Sequence, residues 1–138
     1  MKLKVIIGMA LLLAIIVISC QNGQSIEFDR YYSSGSLVYE SRCQNCHGAK
    51  GEGLQGLIPP LTDSIFIKKN LHALPCLVKN GLRGKVTINN RDFAEKMSAV
   101  DLAPIEIANV LTYVANSFGN KCGTINVEQV QSELAKCK

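Results

Sequence analysis

The most regular alternation of apolar and polar positions lies in the second half of the chain. Ile107, Val110, Leu111, Val114 and Phe118 recur at three- and four-residue spacing, which places them on one stripe of a helix. Pro104 suits the first helical position, Glu106 complements the positive end, and Gly119 supplies a stop, so a helix is predicted over 104–118. Leu71, Leu74, Leu77, Val78 and Leu82 predict another, which Pro75 must start or kink and which Gly81 and Gly84 end. Near the C-terminus Asn126 and Gln129 read as a capping box, and Ile125 and Val130 as a hydrophobic staple, for a last short helix. A first helix is predicted from Ser36 to about Cys43. The glycines and the Pro59-Pro60 pair between positions 48 and 61 predict a loop. Val86-Thr87-Ile88 and Arg91-Asp92-Phe93 flank Asn89-Asn90, a pair that tolerates the left-handed conformation of a tight turn, so a small hairpin is expected there. Helices dominate, and the expected fold class is all-α.

The N-terminal pattern is of another kind. Lys2 and Lys4 precede an uncharged apolar run from Val5 to Ile18, too short for a comfortable spanning helix and typical of an export signal. It ends in Val17-Ile18-Ser19-Cys20, which resembles the bacterial lipobox, whose cysteine becomes the lipid-bearing first residue of the mature chain. Residues 1–19 are therefore expected to be a lipoprotein signal peptide and Cys20 the lipidation site. An ordinary signal peptide or an uncleaved anchor are the alternatives, and all three export the chain. Residues 20–34 are polar, with Gly23 and Ser33-Ser34, and are read as a lipid-anchored tether. A single domain over 35–120 and a helical tail over 121–138 complete the organisation.

Charge narrows the field only slightly. Of the fifteen basic residues, Lys2 and Lys4 fall in the signal, so thirteen face eleven acidic ones. With no basic run and few aromatics, a nucleic-acid partner is not expected.

Candidate chemistry is concentrated in Cys43-Gln44-Asn45-Cys46-His47. Two thiols three residues apart can add across the two vinyl groups of a haem, leaving the next residue, an imidazole, to face the iron. A redox dithiol would need a thioredoxin-like βαβ setting, and zinc would need two further ligands; the sequence offers neither. Cys43 and Cys46 are thus expected to hold haem covalently, with His47 as an axial ligand. Met97 follows the expected hairpin. It is the one methionine left once Met1 and Met9 depart with the signal, and it lies in a loop rather than on a helical stripe. This makes it the candidate sixth ligand. His72 is its rival, although a histidine at a helix start is more often a surface or capping residue.

With these motifs in view, the stretch from Gly35 to Asn120 resembles a class I cytochrome c domain of the bacterial kind. Cys43 to Gly48 with Gly51 and Gly53 looks like its haem-binding helix and glycine loop, Pro59-Pro60-Leu61 like its proline turn, and Val86 to Met97 like the hairpin leading to the methionine. Residues 107–114 look like its C-terminal helix. Ser98 stands where the family commonly has proline. The resemblance implies one covalently bound haem c, with the carbonyl of Pro59 accepting from His47 Nδ1–H. It also implies contact of Gly35 and Tyr39 with Val110 and Tyr113.

Three cysteines remain. Val127, Val130, Leu134 and Cys137 share a face of the last helix, so Cys137 is expected to face the domain. A Cys76–Cys137 disulfide is favoured, Cys122–Cys137 is second, and all three could stay reduced. The expected function is electron transfer by a membrane-anchored mono-haem carrier facing the periplasm, in either membrane, with no catalytic residues. Its partners would be redox proteins (a dehydrogenase, reductase or oxidase) docking among Lys50, Lys68, Lys69, Arg83, Lys85 and Lys96. A haem enzyme subunit or gas-binding sensor with an openable sixth site is the alternative, and a relay subunit of a respiratory complex a third.

Overall fold

The computed structural model describes residues 6–9 and 23–137. Cys20 and, apart from a helical turn at residues 6–9, the expected signal peptide lie outside the described residues. Six helices and one hairpin follow: α1 (Gly23–Arg42), α2 (Gln44–His47), α3 (Ser64–Asn70), α4 (Leu74–Asn80), β1 (Val86–Ile88), β2 (Arg91–Phe93), α5 (Pro104–Val114) and α6 (Val127–Leu134). Among the described residues no helix is long and apolar enough to cross a membrane.

The dominant packing pair is α1 with α5. On α5 the expected stripe is buried: Ile107, Val110, Leu111 and Val114, with Ala108 and Thr112. On α1, Phe28, Tyr32, Gly35 and Tyr39 recur four, three and four residues apart and so share a face. Tyr32 and Tyr39 pack against Tyr113 with tilted rings, at 5.1 and 5.3 Å between centroids. Gly35 marks the crossing, where a Cβ would overlap the carbonyl of Asn109 and the Cβ of Tyr113. The contact of Gly35 and Tyr39 with the last helix of the domain is therefore present.

Gly35→Ala sets two effects against each other. Alanine gains about 1 kcal/mol of helix propensity. Overlap with a backbone carbonyl that cannot rotate away costs about 1–3 kcal/mol or more, so steric exclusion wins. Denaturant unfolding should show a net loss; a gain in stability would mean that the helices do not cross this closely.

Two boundaries differ from expectation. The first helix begins at Gly23, not Ser36, so residues 23–34 are not a tether. Their polar composition hid an aromatic face: Tyr32 Oη lies 2.9 Å from Ser117 Oγ, and Tyr31 Oη accepts from Val127 N at 3.2 Å. The second boundary is that of α5, which stops at Val114 rather than Phe118. There Asn116 folds the chain back, donating to the carbonyls of Thr112 and Gly123 and accepting from Cys122 N and Gly123 N. Asn120 Nδ2 donates to the carbonyls of Val114 and Leu61, and Phe118 turns at a φ of 57°.

The apolar repeat after Leu71 becomes one helix, α4, with Pro75 in its first turn. Before it stands α3, which the sequence pattern did not reveal; Asp63 caps it, its Oδ1 accepting from Ile65 N and Phe66 N at 3.0 Å. The hairpin has the expected turn, with Asn89 and Asn90 at φ 51° and 57° and Val86 opposite Phe93. Asn126 and Gln129 form the reciprocal cap of α6. That tail packs on the domain through buried Ile125 and Val130, and Thr112 Oγ1 bonds both backbone polar groups of Ile125. Cys76 on α4 and Cys137 after α6 form a disulfide with Cα atoms 5.6 Å apart, and Cys122 is free.

Candidate haem crevice

Cys43 carries the helical path of α1 into the motif, its amide donating to Tyr39 O at 2.9 Å. His47 N then donates to Cys43 O and Gly48 N to Gln44 O, which winds α2 as one more turn. Beyond it the chain reverses: Gly53 N donates to His47 O, and Leu61 N to Gly51 O at 2.7 Å. This reversal brings the carbonyl of Pro59 to 3.3 Å from His47 Nδ1. Nδ1–H donates there, which leaves Nε2 with its lone pair free.

Cys43, His47 and Met97 line one cavity of about 360 Å³. Its other walls are mostly apolar, among them Leu61, Ile67, Leu74, Leu77, Ile88 and Val110. Cys46, three residues after Cys43, is exposed. Burial holds the His47 imidazole below its ordinary pKa, outweighing the hydrogen bond to Pro59, which favours the neutral ring. Burial likewise pushes the Cys43 thiol up to about 11, with Cys46 adding to it.

Met97 is fastened by its backbone. Its N–H donates to Leu82 O at 3.0 Å and its carbonyl accepts from Leu82 N at 2.9 Å. This close approach needs Gly81, at φ 74°, because a Cβ there would overlap Met97 O. Sequence reasoning took Gly81 only as a helix stop. Its second role had no local signature, since Met97 lies sixteen residues further on.

His72 is elsewhere. Its side chain is 90% exposed and meets Glu133 at 3.2 Å on the tail, not the crevice. The expected ring of cations is also incomplete. Lys85 lines the crevice but pairs with Asp92 at 2.9 Å, and Lys68 and Lys69 border a separate hollow with Lys121. Among the described residues no three His, Cys, Asp or Glu side chains cluster as a metal site, which leaves the zinc reading without ligands.

Tyr39, almost fully buried, lines the crevice and donates from its hydroxyl to Gly48 O at 2.6 Å. It ties α1 to the turn just after His47. Tyr39→Phe should cost about 1 kcal/mol, the net worth of such a bond, read in denaturant unfolding of the holoprotein. An unchanged midpoint would show that the bond contributes nothing.

The residues fit a haem. Cys43 stands just past the end of α1 and exposed Cys46 on α2, the His47 imidazole has a free Nε2, a thioether lines the same apolar cavity, and the walls supply no competing charge cluster. A family model described as Cytochrome c matches residues 32–117. No curated protein matches the chain.

Proposed function

Because the chain belongs to the cytochrome c family, whose members carry covalently attached haem c and transfer electrons, we propose that it is a membrane-anchored carrier of one haem with both axial positions filled. The observation that supports this reading is the convergence of Cys43, His47 and Met97 on a single apolar crevice.

When bound, the haem supplies one reversible electron at iron. Cys43 and Cys46 would form the thioether bonds and so fix the ring against α1. His47 Nε2 and Met97 Sδ would be the axial donors, and the Pro59 carbonyl would hold the imidazole in one tautomer and strengthen it as a donor. With haem bound, the thioether and the apolar walls would both disfavour the extra charge of ferric iron and so raise the potential. Filled axial positions leave no place for a substrate, so the reading is a carrier and not an enzyme. Exposed Cys46 marks the edge at which redox proteins would dock, with Lys50, Arg83 and Lys96 exposed for the encounter. Cys20 would carry the lipid that holds the chain at a membrane, facing the periplasm.

Three measurements on protein purified from membranes test this. Intact mass should show diacylglycerol on Cys20 and one haem. Acid organic solvent should leave that haem on the polypeptide. Carbon monoxide should leave the ferrous spectrum unchanged. Extractable haem would overturn covalent attachment, and ready carbon monoxide binding would favour the gas-binding alternative.

A further inference from the structure

We infer that the outward face of α1, carrying Ile26 and Leu37, is a bilayer contact surface that lays this helix along the membrane and keeps the haem crevice close to it. The inference rests on the lipid anchor proposed at Cys20. Three links of extended chain join Cys20 to Gly23, so the start of α1 lies within about 11 Å of the lipid-bearing residue whatever path they take. No tether intervenes, because the helix is continuous from Gly23 to Arg42.

Ile26 and Leu37 are eleven residues apart, about three helical turns, and so point the same way. They are 61% and 67% exposed. Gly35, nine residues after Ile26, faces α5, so this direction is opposite the domain. Between the two apolar residues Arg30 and Ser33 occupy the same stripe, and Arg30 makes no ion pair among the described residues. A guanidinium there can meet lipid phosphate while its stem stays on apolar surface. Scattered surface hydrophobes need no explanation in general. Here covalent geometry sets one of them beside a membrane and helix geometry aligns the other with it. The motif at Cys43 begins where α1 ends, so a helix lying flat holds the crevice near the bilayer, within reach of a partner in the same membrane.

Hydroxyl-radical footprinting of the full lipidated holoprotein on phosphatidylcholine–phosphatidylglycerol vesicles, against the soluble Cys20→Ser holoprotein, tests this. Ile26 and Leu37 should oxidise severalfold more slowly on vesicles, while Leu54 and Ile65, also exposed, should react equally in both. Replacing both residues by serine should leave the haem spectrum unaltered and remove the protection of neighbouring positions. If the chain is lipidated and Leu37 is unprotected, α1 stands away from the bilayer and the inference fails alone. Protection that appears in the soluble protein as its concentration rises would assign the face to a second copy, overturning the membrane contact. A native chain without lipid would overturn both the anchor and the inference, and intact mass separates that case from the others.

Discussion

Met97→Ala should open the iron. Removing the thioether leaves a coordination site that water or an added ligand can take, so the ferrous variant should bind carbon monoxide where the native protein does not. The potential should fall by on the order of 0.1 V or more, a fraction of the roughly 0.8 V over which axial ligands tune haem iron. The ferric protein should also lose its weak far-red sulfur-to-iron band. The fold should survive, because Met97 is tied to Leu82 through backbone atoms that alanine keeps. His72→Ala is the control. With its side chain 90% exposed beside Glu133, it should alter neither spectrum nor potential. An unchanged spectrum and potential in Met97→Ala would remove methionine from the ligand set.

The second large effect belongs to the tail. Cys76 and Cys137 stand 61 residues apart in sequence, and cross-linking a loop of that length restricts the unfolded chain by about 4 kcal/mol in the entropic account. Typical domains have only about 5–15 kcal/mol in total. The double variant Cys76→Ala/Cys137→Ala should therefore melt about 15 °C lower, taking about 4 °C per kcal/mol for a domain of this size. Cys122→Ser should be nearly silent, since Cys122 is unbonded. The loss would reach the crevice as well, because Cys76 sits on α4, whose Leu74, Leu77 and Val78 form one wall. A melting temperature within a few degrees of the native value would show that α6 stays docked through Ile125, Val130 and Thr112 alone.

Local chemistry was legible wherever neighbouring residues carry it. The Cys43–His47 spacing, the Asn89-Asn90 turn and the reciprocal Asn126–Gln129 cap each bind groups a few positions apart, and each stands where the sequence placed it. The Cys76–Cys137 pair needed one longer step, from the shared face of α6, and the structure holds that pair. What stayed hidden depends on distant partners. The first three turns of α1 look polar, and only against Val127 does Tyr31, and against Tyr113 and Ser117 does Tyr32, become half-buried. The end of α5 was misplaced because Phe118 continues the stripe, whereas the stop comes from the side chains of Asn116 and Asn120. The cap at Asp63 was a readable signal for α3, an aspartate just before Ser64 and the apolar Ile65-Phe66-Ile67, but a helix of about two turns is too short for periodicity to support it.

The crossing at Gly35 also imposes an order in time. Gly35 and Asn109 are about 70 residues apart, and closing a loop of that length costs about 4 kcal/mol before any contact repays it. Hairpins and single helical turns form within microseconds, so this clasp is expected to come later, and Cys43, His47 and Met97 all lie on the loop it gathers. Until it shuts, Cys43 is a solvated thiol within reach of an attaching machinery. Afterwards it is half-buried, and its pKa is pushed up to about 11. A haem that arrives before the two helices meet would find Cys43 more accessible than one that arrives after.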